Sequence, residues 1–170
     1  MDAYRNIVLI GMPGAGKSTV GVLLAKATSR TFVDTDLVIQ AAEGRRLQEL
    51  MDTLGVNAFR AMEERHILSL RTAGSVIATG GSVVYSPLAV EHLKSGSIAA
   101  YLDCPLEELK TRLSNLDSRG VVRAPGQTIE SLFEERTPLY RRYADITISC
   151  VGLNHEQVLD ELLASLMIDE

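Results

Sequence analysis

Near the N-terminus, residues Gly11, Met12, Pro13, Gly14, Ala15, Gly16, Lys17 and Ser18 follow one another in the pattern G-x-x-x-x-G-K-[ST]. No other stretch limits the possible folds of this chain as strongly. An apolar run, Asn6–Ile10, precedes it, and Lys17–Thr28 follows with Val20, Leu23, Leu24 and Ala27 on one helical face. A strand, a glycine-rich loop and a helix in that order form an anion cradle. The glycines let successive backbone N–H groups converge on phosphate oxygens, and the helix presents its positive end to the same anion. Lys17 is placed to reach β- and γ-phosphates, and the Ser18 hydroxyl suits Mg²⁺. The pattern implies binding of ATP or GTP. A dinucleotide fingerprint is the weaker reading, because Gly11–Gly16 lacks its spacing and Lys17 has no role in it.

The rest of the chain alternates strand-like and helix-like segments. Phe32–Val33 ends at Asp34, Ser75–Ala78 leads into a glycine pair, and Ile98–Leu102 and Ile146–Ser149 complete five short apolar runs. Helical patterns cover Leu37–Ala42, Leu47–Leu54, Val56–Ala73, Ile129–Tyr143 and Asn154–Met167. Two more start at Ser86-Pro87 and at Pro105, where a cap or a first-turn proline marks the beginning. Residues 114–127 are polar, carry glycine and proline, and show no period, which in a compact domain marks a functional or mobile loop. The alternation predicts one α/β domain over residues 1–170, a three-layer α/β/α arrangement around a five-stranded parallel sheet. Ligands of such sheets bind beyond the carboxyl ends of the strands.

Composition narrows the function further. The net charge of −5 argues against a general nucleic-acid binder. No apolar run approaches the roughly 18 residues of a membrane span, and the short polar N-terminus is no signal peptide, so a cytoplasmic enzyme without membrane contact is expected. Of 17 basic residues only four are lysines, and five of the arginines fall between Arg119 and Arg142, which favours bidentate contacts to phosphate or carboxylate. Cys104 and Cys150 match no metal spacing and read as buried thiols. His66, His92 and His155 form no cluster and read as structural or surface residues.

Asp34 and Asp36 flank Thr35 at the end of the second strand. One carboxylate there suits the Mg²⁺ shell and the other can accept a hydroxyl proton as that hydroxyl attacks the γ-phosphate. Alternation along an extended segment would turn both the same way. The competing reading is turn chemistry, with Asp36 capping a helix from Leu37.

In these blocks the chain resembles the shikimate kinases. Besides Gly11–Thr19 and Asp34-Thr35-Asp36, it carries Phe59, Arg60 and Glu63 in the family's F-R-x-x-E pattern. It also carries Arg136, Pro138, Leu139 and Tyr140, then Ala144 and Asp145, in its R-x-P-L-Y…A-D pattern. The related gluconate kinases tend to differ between the two acids. The resemblance implies a P-loop NTPase fold of the nucleoside-monophosphate-kinase type, and transfer of the γ-phosphate of ATP to the 3-hydroxyl of shikimate in aromatic amino-acid synthesis. It implies nucleotide contacts from Gly11, Gly14, Ala15, Gly16, Lys17, Ser18 and Thr19, with Arg112 stacking on adenine. Ser18 and Asp34 would serve Mg²⁺. Asp36, Arg60, Gly80, Gly81 and Arg136 would hold the acceptor, the arginines on its carboxylate and the glycines through backbone N–H groups. Lys17, Asp36 and a lid arginine would act in catalysis, and the protein would be a monomer.

Two departures stand out. Ser82 replaces the third of the family's three glycines, and the lid pattern R-P-L is replaced by Arg119 followed by Gly120, so that Arg119 is the first choice for the lid arginine and Arg123 the second. Two rivals share the phosphate loop: a kinase for another hydroxy acid such as gluconate, and an NTP-binding regulatory protein with little transfer activity. The second needs no acceptor clamp.

Overall fold

The computed structural model describes residues 5–113 and 121–168. Five parallel strands, β1 (Asn6–Ile10), β2 (Thr31–Asp34), β3 (Ser75–Ala78), β4 (Ser97–Asp103) and β5 (Ile146–Ser149), form one sheet in the order β2-β3-β1-β4-β5. The apolar runs dictate that order. Strands β1, β3 and β4 are buried almost throughout and lie centrally, whereas β2 and β5 are partly exposed and lie at the edges. The register sets Leu9 beside both Ala78 and Ala100.

Helix α1 (Lys17–Ala27) connects β1 to β2. Helices α2 (Thr35–Glu43) and α3 (Leu47–Ser69) lead to β3, α4 (Pro87–Lys94) to β4, α5 (Leu106–Leu113) and α6 (Ile129–Tyr143) to β5, and α7 (His155–Ile168) closes the fold. Right-handed crossovers place α1, whose connection runs one way along the sheet, on the opposite face from the helices whose connections run the other way. The contacts agree: α1 packs on α7 and β3, whereas α3 packs on α4, and α4 and α6 on β4. Chain connections diverge between the neighbouring strands β1 and β3, so the crevice beyond their carboxyl ends lies between the phosphate loop and Gly80-Gly81.

The main core joins the central strands to α1, α4, α6 and α7. A second cluster, Ile39, Leu47, Leu50, Met51, Phe59, Met62 and Val122, joins α2 to α3. Cys104 and Cys150 are buried free thiols, as expected. No helix among the described residues is long and apolar enough to cross a membrane.

Helix boundaries differ from the sequence reading by more than one residue in two places, each for a local reason. Helix α2 begins at Thr35 rather than Leu37 because the Asp34 side chain caps it, accepting from the N–H groups of Asp36 (2.9 Å) and Leu37 (3.3 Å). Helix α3 ends at Ser69 rather than Ala73, where Leu70 turns extended and packs on the main core. The break expected between Leu54 and Val56 survives as a kink at Gly55, with φ 75° and ψ 167°.

Candidate active site

The phosphate loop is closed by its own lysine. Lys17 Nζ donates to the carbonyls of Gly11 and Met12, each at 2.8 Å, and the side chain is buried. Burial lowers its pKa to about 8; Arg136 pushes the same way, while Asp36 and Asp34 oppose. Gly14 and Gly16 have φ of 80° and 94°, values that leave the loop to glycine, and Gly16 forms the N-terminal cap of α1.

Beside it, Ser18 Oγ donates to Asp34 Oδ2 at 2.7 Å. Asp34 therefore spans the first turns of two helices. The capping residue is Asp34 and not Asp36, and the extended alternation expected for the pair is absent, since Thr35 and Asp36 are already helical. The helical turn instead points Asp36 into a cavity of about 390 Å³. There burial pushes its carboxyl up to about 6, with Asp34 adding to the rise and Lys17 opposing it.

That cavity is lined by Gly14, Gly16, Lys17, Ser18 and Thr19 on one side, and by Phe59, Glu63, Gly80, Gly81 and Arg136 on the other. A Cβ on Gly80 would stand 2.5 Å from Glu63 Oε1 and 2.8 Å from Asp36 Oδ1. Two carboxylates therefore meet against bare backbone. The backbone N–H of Gly80 donates to Thr35 Oγ1 at 3.1 Å, so it is not turned to the acceptor as the resemblance implied. At Gly81 a Cβ would meet Pro13 Cδ at 2.9 Å and Arg136 Nη1 at 3.1 Å, and its carbonyl accepts from Tyr140 Oη at 2.6 Å. Ser82 takes φ −88°, which any residue adopts, and its hydroxyl donates to Glu63 Oε2 at 2.6 Å. Burial pushes Glu63 up to about 7, and this hydrogen bond opposes the rise.

Arg136 is fully buried on α6. Its Nη2 donates to the Val122 carbonyl, its Nε donates to Tyr85 Oη at 3.2 Å, and its Nη1 is buried without a partner. Arg60 does not line the cavity. Its guanidinium carbon lies 3.7 Å from the centre of the Tyr85 ring, that of Arg136 5.2 Å from the same centre, and Arg60 Nε is also buried without a partner. Among the described residues neither arginine has a carboxylate in ion-pairing reach.

The remaining expected residues are distributed as follows. Arg112 lines the cavity and donates to the Gly14 carbonyl at 3.3 Å and to Glu108 at 3.0 Å. Gly11 and Ala15 support the loop from behind, with a Gly11 Cβ falling 2.9 Å from the Leu102 carbonyl. Arg119 lies outside the described residues, as do residues 114–120 of the expected lid over 114–127. Arg123 lines a separate cavity of about 860 Å³ with Gln48, Met51 and Val56. Asp145 is structural, pairing with Lys94 at 2.7 Å and accepting from the Ala99 N–H at 2.7 Å.

Several site residues escaped the sequence reading. Thr35 was noted only as the residue between two acids, yet it is buried and ties α2 to the glycine turn. Glu63 was noted only as part of a pattern. Tyr85 carried no signal, since an aromatic residue after two valines reads as core. His155, read as structural or surface, lines the cavity and lies 3.0 Å from where a Gly16 Cβ would stand.

The geometry has counterparts in known proteins. The model of the family described as shikimate kinase matches residues 13–167. A shikimate kinase of Thiobacillus denitrificans is 39% identical over 151 residues, which cover 87% of this chain and 82% of the relative. One of Rhizobium meliloti is 35% identical over 164 residues, 95% of this chain and 85% of the relative. Among solved structures, a shikimate kinase from Acinetobacter baumannii in complex with shikimate superposes with a TM-score of 0.88 at 31% identity, covering 99% of this chain and 96% of that one.

Proposed function

Since the chain belongs to the shikimate kinase family, we propose that it transfers the γ-phosphate of ATP to the 3-hydroxyl of shikimate. One observation carries the reading from family to chemistry. A single cavity holds a phosphate loop with its buried lysine, a carboxylate of raised pKa, and the arginine of a two-guanidinium cluster that lacks a carboxylate partner among the described residues. A nucleotide answers the first feature. A hydroxylated carboxylic acid answers the other two.

In this reading ATP lies on Gly11–Ser18 with its base toward Arg112, and Lys17 neutralises charge on the β- and γ-phosphates. Ser18 and Asp34, already joined at 2.7 Å, are the oxygen donors that would hold Mg²⁺. When bound, Mg²⁺ would offset the negative charge of the phosphates. Asp36 accepts the proton of the acceptor hydroxyl as its oxygen bonds to the γ-phosphorus and the bond to the leaving ADP breaks. Arg60 and Arg136 take the acceptor carboxylate, which fixes the ring and so the hydroxyl.

A phosphotransfer assay against a panel of hydroxy acids tests the reading. Fast ATP-dependent phosphorylation of shikimate, and not of gluconate, is expected. Turnover of gluconate in its place, or nucleotide binding with no acceptor used, would overturn it.

A further inference from the structure

The 3-10 turn Val83–Tyr85 follows the glycine pair and is wedged between α3, which carries Arg60, and α6, which carries Arg136. It delivers one side chain, Tyr85, to both guanidinium groups. The ring face receives Arg60 at 3.7 Å, and the hydroxyl accepts from Arg136 Nε at 3.2 Å. Burial and then the nearby Glu135 raise the pKa of the same hydroxyl, and Glu135 accepts from Gln127 Nε2 at 2.8 Å.

Two cations this close repel one another, and long arginine side chains have many rotamers open to them. Something must hold them side by side before a carboxylate arrives. Glu63 supplies part of the charge balance, but its oxygens are directed to Ser82 and to Gly80. Tyr85 supplies the rest in two forms, a π face for one guanidinium and a lone pair for the other.

We propose that Tyr85 is the positioning residue of the acceptor clamp: it sets the spacing of Arg60 and Arg136 so that one carboxylate can engage both. The proposal rests on the reading of Arg60 and Arg136 as carboxylate ligands, and it adds a residue that does not line the cavity. Preorganisation of this kind acts on acceptor affinity and leaves the chemical step alone once the acceptor is seated.

The test is steady-state kinetics on Tyr85→Leu, Tyr85→Phe, Arg60→Ala and the Tyr85→Leu/Arg60→Ala double variant, with shikimate and ATP varied in turn. Tyr85→Leu removes both contacts and should raise the shikimate KM about tenfold, with kcat and the ATP KM within about twofold. Tyr85→Phe keeps the π face and loses the hydroxyl, so its rise should be about threefold. In the double variant the leucine should add little to the loss already caused by Arg60→Ala, because both changes disable one device.

An unchanged or lowered shikimate KM in Tyr85→Leu, beside a raised one in Arg60→Ala, removes Tyr85 from the clamp and leaves the clamp standing. A normal KM in Arg60→Ala removes the clamp itself, and the proposal with it. Equal damage to kcat and to both KM values would mark Tyr85 as a packing residue only. Tyr85→Phe, which changes one atom, keeps the question answerable should the leucine variant fold poorly.

Discussion

The Ser82 hydroxyl donates to Glu63 Oε2 at 2.6 Å, and both buried side chains line the cavity beside the phosphate loop. The bond favours the charged form of Glu63 against the cost of its burial. Ser82→Gly should therefore destabilise the protein more when Glu63 is ionised than when it is protonated. A loss of about 1–3 kcal/mol is expected at pH 8, shrinking toward pH 5. Urea denaturation at the two pH values measures it; an equal loss at both would mean that the hydroxyl does not support the carboxylate charge.

Glu63 and Asp36 also make the free protein pH-sensitive. Their folded values, about 7 and about 6, exceed the ordinary 4.5 and 3.8. The folded state thus holds more protons between those limits, so the stability these groups contribute is complete at low pH and is lost as pH rises through about 6 to 7. Lys17, lowered to about 8, works in the opposite sense above that value. Melting temperatures recorded from pH 5 to 8 should fall less steeply for Glu63→Gln than for the unaltered protein.

Catalysis should follow the charge on Asp36. As proton acceptor it must be ionised, so kcat/KM for the acceptor at saturating ATP should rise with pH through about 6. A profile flat from pH 5 to 7 would exclude Asp36 from that role.

Removing Lys17 and removing Arg136 should separate chemistry from folding. Lys17→Met deletes the charge that faces the phosphates, and turnover should fall by about a thousandfold with every acceptor. Arg136→Met should also cost stability, about 2–4 kcal/mol in urea denaturation, because Arg136 is fully buried and its loss strands the Val122 carbonyl and the Tyr85 hydroxyl.

What the sequence discloses depends on how local the cause is. Strands β1, β3 and β5 and helix α6 coincide with their apolar runs and caps, since neighbours in the chain define them. The same holds for the phosphate loop, where Gly11 to Ser18 carry both the curl and the chemistry. The cap of α2 was not legible: the sequence offers Asp36 for that role and the structure gives it to Asp34, because the capping bonds depend on where α2 starts. Tyr85 and the Ser82–Glu63 bond were invisible for another reason. Residues 63, 82, 85 and 136 meet only after α3, the turn and α6 have packed on the sheet, and no periodicity encodes such a meeting. Arg60 was legible as a candidate from its block, but its place on an aromatic face was not.

Gly80 faces two carboxylate oxygens closer than 3 Å to the place of a Cβ, Gly81 faces Pro13 in the same way, and the neighbouring Ser82 finds room for a whole side chain. These three positions are therefore unequal under descent with modification. Every replacement of a glycine adds a Cβ, which at the first position would have to displace Glu63 and Asp36 and at the second Pro13. The third is open, provided its newcomer can make terms with Glu63. A serine there adds a hydrogen bond without surrendering the turn, and its loss would be felt through the acid beneath it.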